Sequence, residues 1–173
     1  MSGILATVGY SGRSPQEVGD LCQRLQATLV DVRSRPTSRR AEWRRERLEA
    51  QFGHQYAWRG DRLGGMGAGP TAEGLDELAR EIEAGRNLVL LCAERAPGDC
   101  HRHHRIAVPL LARGIDAVHV YRDDEAGDVV IAASELVRAD AEDDDCWYLS
   151  LGDWLRAASA PRGPRSPRRR WAG

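Results

Sequence analysis

The side chains of this 173-residue chain that could carry chemistry gather at a few places. The densest is Cys100-His101-Arg102-His103-His104-Arg105, a thiol followed by imidazoles and guanidiniums, shortly after Cys92 and Glu94. A cysteine at the first residue of a helix meets unpaired N–H groups and the positive end of the helix dipole, which favour its thiolate. Cys100 is therefore placed to act as a nucleophile or redox thiol, or else to pack under the preceding loop. Asp31 and Glu94 end apolar segments and suit proton transfer; alternatively each pairs with a nearby arginine, Asp31 with Arg33 or Arg102 for instance. Arg33 and Arg102 together suit a bidentate clamp on phosphate or carboxylate. Tyr10, Arg13, Arg35 and His101 stand at equivalent points after their own segments and complete the candidate anion-binding set.

Two further groupings carry competing readings. Cys92, Cys100, His101, His103 and His104 are metal-ligating types, but only His101 and His104 share a helix face, and the paired Cys-x2-Cys spacing is missing. That spacing argues against a metal, and no cofactor is expected. Cys92 and Cys22 read as small core residues, and His103 and His104 read equally well as surface residues. Arg40, Arg44 and Arg47 recur at helical spacing beside Trp43, which suits a single-stranded nucleic-acid platform or a solvated basic face.

Strands must present these groups. Ile4–Tyr10, Thr28–Arg33, Asn87–Cys92 and Asp116–Tyr121 are short apolar runs, with a weaker one over 54–58. Ser14-Pro15-Gln16-Glu17 is a capping box with proline at the first helical position, opening a helix whose Leu21, Cys22 and Leu25 face inward. Residues 38–52 read as one helix with Ala41, Leu48 and Phe52 inward. Gly60–Pro70 reads as a long flexible loop, Thr71 to about Gly85 as a helix, and Cys100–Arg113 as a helix capped by Asp99 and closed at Gly114. A helix near Ser134–Ala139 and the aromatic segment Trp147–Trp154 follow an acidic stretch. This alternation argues for an α/β fold, an open, mostly parallel Rossmann-like sheet with helices on both faces, whose ligands bind beyond the carboxyl ends of the strands. Residues 1–158 read as one such domain and 159–173 as a disordered Arg/Pro-rich tail.

Composition narrows the classes. Hydrophobic residues at 42% and charged residues at 29% are an ordinary globular balance. No apolar run has the length of a membrane helix, and the N-terminus lacks the pattern of a signal peptide, so a cytoplasmic protein with free thiols and no membrane partner is expected. All 25 basic residues are arginine, which excludes lysine Schiff-base chemistry. The net charge of −1 conceals segments of +3 (1–122), −10 (123–153) and +6 (154–173). The tail arginines 162, 165, 168, 169 and 170 suit nucleic acid or the chain's own acidic residues Asp140–Asp145.

Several motifs, in order, resemble the family catalogued as domain of unknown function 488. They are Thr7-Val8-Gly9-Tyr10-Ser11-Gly12-Arg13-Ser14, Val30-Asp31-Val32-Arg33-Ser34-Arg35-Pro36 with Ser38-Arg39, Leu63-Gly64-Gly65, and Cys92-Ala93-Glu94 followed by Cys100-His101-Arg102. They span residues 4 to about 121. The resemblance implies an α/β fold in which the polar residues at the strand ends share one site, and it brings no reaction with it. Cys100-x4-Arg105 also resembles the anion-cradling loop of rhodaneses. The expectation is an enzyme acting on a phosphate-bearing, nucleotide-like or nucleic-acid substrate. The alternatives are a non-catalytic nucleic-acid-binding module and a rhodanese-like sulfur carrier using Cys100.

Overall fold

The computed structural model describes residues 2–142, 147–159 and 169–170. The chain opens with β1 (Leu5–Gly9), α1 (Pro15–Leu25) and β2 (Thr28–Asp31). The capping box at α1 forms as its residues dictate: Glu17 N–H donates to Ser14 Oγ, and Ser14 N–H donates to the Glu17 carboxylate at 2.7 Å. There follow α2 (Arg45–Phe52), β3 (Tyr56–Trp58), α3 (Gly60–Leu63), α4 (Ala72–Glu83) and β4 (Leu88–Cys92). A π-helical segment, Arg102–Ala107, runs into α5 (Val108–Leu111). The remainder is β5 (Val118–Asp123), β6 (Gly127–Ala132), α6 (Ala133–Glu142), β7 (Trp147–Ser150), α7 (Leu151–Ser159) and the two-residue β8 (Arg169–Arg170).

The strands form one sheet in the order β3-β2-β4-β1-β5-β6-β7-β8. From β3 to β5 every pairing is parallel, and β6, β7 and β8 extend the sheet antiparallel. The expected parallel sheet thus holds for one half, and the whole is a mixed α/β sheet. The change comes after β5, where Asp123 Oδ1 accepts the N–H groups of Glu125 and Ala126 and reverses the chain into β6. That hairpin lies in the segment read as an acidic stretch.

Side-chain alternation divides the core into two main layers. Leu5, Val30, Val32, Leu88, Leu90 and Cys92 face one layer with Leu63, Leu78, Ile82 and Leu110. Ala6, Val8, Leu29, Val89, Leu91 and Val120 face the other with Val18, Leu21, Trp43, Leu48 and Leu155. Helices therefore cover both faces, as strands apolar on both sides require. Full burial of each Leu or Val is worth about 1.5–3 kcal/mol.

Three expectations about local structure change. Residues 38–52 are not one helix: a 3-10 turn over Ala41–Trp43 precedes α2, and Arg44 between them is extended, with φ −76° and ψ 146°. The reason is Trp43, fully buried, which needs the chain turned inward. Arg40, Arg44 and Arg47 consequently do not share one helical face. Gly60–Pro70 is held in place: α3 occupies its start, and Arg105 donates to the carbonyls of Gly65 and Ala68 at 3.0 and 2.7 Å. The helix after Asp99 is widened into π geometry just before Pro109, whose missing N–H cannot continue an α ladder. Of the tail, Arg169–Arg170 pair with β7, while 160–168 and 171–173 lie outside the described residues, as do Asp143–Asp145 and Cys146 of the acidic segment. Among the described residues no helix is long and apolar enough to cross a membrane.

Candidate functional site

The two strands at the centre of the parallel half, β1 and β4, send their following segments to opposite faces of the sheet. β1 leads into α1 in one layer, and β4 leads into Ile106 and Leu110 in the other. Such a divergence opens a crevice at the carboxyl edge. Here the two exits are laced together: Tyr10 N–H donates to Cys92 O at 3.0 Å and Ser11 N–H to Ala93 O at 3.1 Å. Gly9 is required at that crossing, because a Cβ there would stand 1.7 Å from Glu94 O.

The polar residues at this edge fall into two clusters on opposite faces of the sheet. Asp31 pairs in register with Leu91, so Cys92, one residue on, points to the other side.

On the α1/α2 side Asp31 is fully buried and saturated. Its Oδ1 accepts from Arg33 N at 3.1 Å and Nε at 2.8 Å, and its Oδ2 accepts from Arg33 Nη2 at 2.5 Å and Tyr56 Oη at 2.8 Å. Arg33 Nη1 donates to Trp43 O at 2.8 Å, and the guanidinium lies 5.2 Å from the Tyr10 ring centre. Burial opposes the Arg33 charge, yet the Asp31 carboxylate outweighs it and keeps the guanidinium above its ordinary pKa. Burial, then the Asp31 charge and hydrogen bond, push the Tyr56 phenol up. Tyr10 stacks on Trp43 with ring centres 4.8 Å apart. Of the two readings of Asp31, the ion pair is the one formed, with Arg33 and not Arg102. Its lone pairs are occupied by donors from Arg33 and from Tyr56 of β3, which makes it a brace.

On the other side, Cys92, Cys100 and His101 converge. His101 Nδ1 lies 3.5 Å from Cys92 Sγ and 3.9 Å from Cys100 Sγ. Arg102 brings this about. It is fully buried, donates through Nη1 to Glu94 O at 2.5 Å and through Nη2 to Arg95 O at 3.0 Å, and so folds the Ala93–Asp99 loop back over the strand end. The Cys92 thiol donating to it pulls the Cys100 pKa far below the ordinary value against the opposing effect of burial, with His101 and Arg102 adding to the pull. Cys92 is pushed up correspondingly, first by its bond to Cys100 and then by burial. The two thiols are thus coupled, with Cys100 the one favoured as thiolate. Gly65 lies against the imidazole: a Cβ there would be 2.5 Å from His101 Cγ.

Beneath this cluster runs a chain of buried polar side chains. Thr7 Oγ1 is 2.7 Å from His119 Nδ1, and His119 Nε2 is 2.9 Å from His103 Nδ1. Thr7 and His119 are register partners on adjacent parallel strands. His103 is therefore an interior residue, and only His104 of that pair is exposed, touching Gly98 O.

The other expected site residues lie elsewhere. Arg13 is buried in a two-pronged ion pair with Asp128, both contacts at 3.0 Å. Glu94 and Arg35 are exposed. Arg40 donates to Arg13 O and pairs with Glu42, Arg44 donates to Ser38 O, and Arg47 is exposed. Arg33 and Arg102 spend donors on the protein itself and sit with different clusters, so they form no joint clamp. Sequence reasoning missed the partnership of Cys92 with Cys100 and the His119–His103 pair. A signal for the latter existed: His119 stands alone between Val118 and Val120, at an inward position of a strand.

No protein-family model, curated protein or solved structure matches the chain.

Proposed function

We propose that the protein is an enzyme working through the Cys100 thiolate at the carboxyl edge of the Rossmann-like parallel half, on a phosphate-bearing or similarly anionic substrate. The observation that carries this reading is the convergence of Cys92, His101 and the Arg102 charge on one sulfur at the start of a helical segment. Such surroundings favour the thiolate at neutral pH, on a sulfur that is itself buried. Cys92 lies beside Cys100 and favours its thiolate, His101 orients beside both sulfurs, and Arg102 shapes the loop and contributes charge. Exposed Arg35 and Arg39, on the segment leaving β2, support an anionic substrate. The ordered motifs resembling domain of unknown function 488 lie on these same segments, which supports membership of that family.

The first test is alkylation of the intact protein with iodoacetamide across pH, localised by mass spectrometry, with turnover of a panel of nucleotides and phosphate esters measured alongside. Cys100 is expected to react with little change in rate from about pH 6 to 9, where an ordinary thiol would titrate near 8.5. Cys22, whose pKa burial pushes up to about 12, should stay inert. Cys100→Ser should abolish turnover. An ordinary or unreactive Cys100, or full turnover in Cys100→Ser, would overturn the reading.

A further inference from the structure

Two thiols and an imidazole meeting at one point are a ligand set as well as a nucleophile with its partners. Cys92 Sγ, Cys100 Sγ and His101 Nδ1 all lie within 4.8 Å of one another. Around a tetrahedral Zn2+ with Zn–S about 2.3 Å and Zn–N about 2.0 Å, a sulfur and a nitrogen stand about 3.5 Å apart and two sulfurs about 3.8 Å. The separations from His101 Nδ1 to the sulfurs, 3.5 and 3.9 Å, need to change by only tenths of an ångström. We infer that Cys92, Cys100 and His101 form a binding site for a thiophilic divalent cation of the Zn2+ class, with three protein ligands and a fourth position for water or substrate.

Three features beyond spacing support it. The donors are preorganised: Cys92 ends a central strand, Cys100 is placed by the loop that Arg102 folds back, and Gly65 packs against the imidazole. The imidazole is free to present a lone pair. His101 aims Nδ1 at both sulfurs, and its Nε2 is buried without a hydrogen-bond partner, so the ring proton can pass to Nε2 when Nδ1 takes an ion. The charge also balances. A dication takes both sulfurs as thiolates, and the protons they carried go to solvent. Two sulfurs and an imidazole are three donors, the number that catalytic zinc sites take from protein. The linear spacing, seven residues between Cys92 and Cys100, hides the set because the loop between them doubles back.

This inference goes beyond the thiol reading and stands apart from it, since the ion requires the sulfurs as ligands and not Cys100 as the attacking group. The test uses the full chain stripped with a chelator and titrated with Co2+, then Zn2+. One Co2+ per chain should bind with thiolate-to-cobalt charge-transfer absorption, and Zn2+ should displace it and shield Cys100 from iodoacetamide. Cys92→Ser, Cys100→Ser and His101→Gln should each weaken binding by on the order of 100-fold, because even an outer partner of a ligand is worth 10–100-fold. Cys22→Ser should bind normally, and circular dichroism checks that each variant is folded. No charge-transfer band in the wild type, or an undiminished band in folded Cys100→Ser and His101→Gln, would overturn the site. Alkylation of the metal-free protein reports on the thiol reading separately, so either can fail alone.

Discussion

At the scale of the residue, the division of labour follows from which side chains have spent their hydrogen-bonding capacity. Asp31 has the residue type of a general base but no capacity left, because Arg33 and Tyr56 fill both its oxygens in the interior. Its loss is a loss of stability. Asp31→Asn is expected to cost about 3–5 kcal/mol in chemical denaturation, since it leaves the Arg33 charge buried without its counter-ion. If Asp31 were a proton-transfer group instead, the variant would unfold normally and lose turnover only. Cys100 is the opposite case, a group whose neighbours stabilise its reactive form. That contrast was half legible in the sequence. Cys100 stood out by its place before a helix, but Cys92 looked like core because a cysteine ending an apolar strand has no local feature to distinguish a partner from a filler.

At the scale of the element, Arg122 ties the antiparallel extension to the parallel half. From β5 it donates to Glu17 of α1 at 2.6 Å, to Asp128 of β6 at 3.0 Å and to Gly12 O at 3.0 Å. Its hydrogen bond is the largest of the effects that hold the Glu17 carboxyl down from 4.5 to about 2. Glu17 is largely solvated, so the stabilisation is modest. A carboxyl depressed in the folded state adds stability that is complete above its unfolded value and lost as pH falls, here from 4.5 towards 2. In Arg122→Ala, an NMR titration should find Glu17 shifted up from about 2 towards 4.5, and unfolding should cost about 1–2 kcal/mol less. An unmoved Glu17 would mean that the Ser14 backbone alone sets its acidity. The capping box at α1 was readable because it needs only four consecutive residues. The break between Trp43 and α2 was not, since it depends on a pocket for the indole that other segments build.

At the scale of the whole molecule, the buried Thr7–His119–His103 chain makes stability depend on pH. Burial, with Arg102 and His103 adding to it, holds the His119 imidazole well below its ordinary 6.5. The folded protein therefore keeps His119 neutral while the unfolded chain takes up a proton below 6.5, so stability is complete above that pH and declines beneath it. The slope is about 1.4 kcal/mol per pH unit for one proton. Thermal unfolding should show this decline between about pH 6.5 and 5 in the wild type, and His119→Gln should flatten it. An unchanged slope in that variant would assign the decline to other groups. By itself the sequence determined the α/β class, the capped start of α1, the extent of α4 and the run of polar residues beyond the strands of the parallel half, because periodicity, caps and turn chemistry act over neighbouring residues. Only the tertiary structure decided that Asp31 and Cys92 face opposite layers, that Arg102 folds a loop to bring Cys100 beside Cys92, and that Thr7 meets His119 across 112 residues. Those outcomes depend on strand register and on side chains distant in the chain, and alternation turns a one-residue difference in register into opposite sides of the sheet.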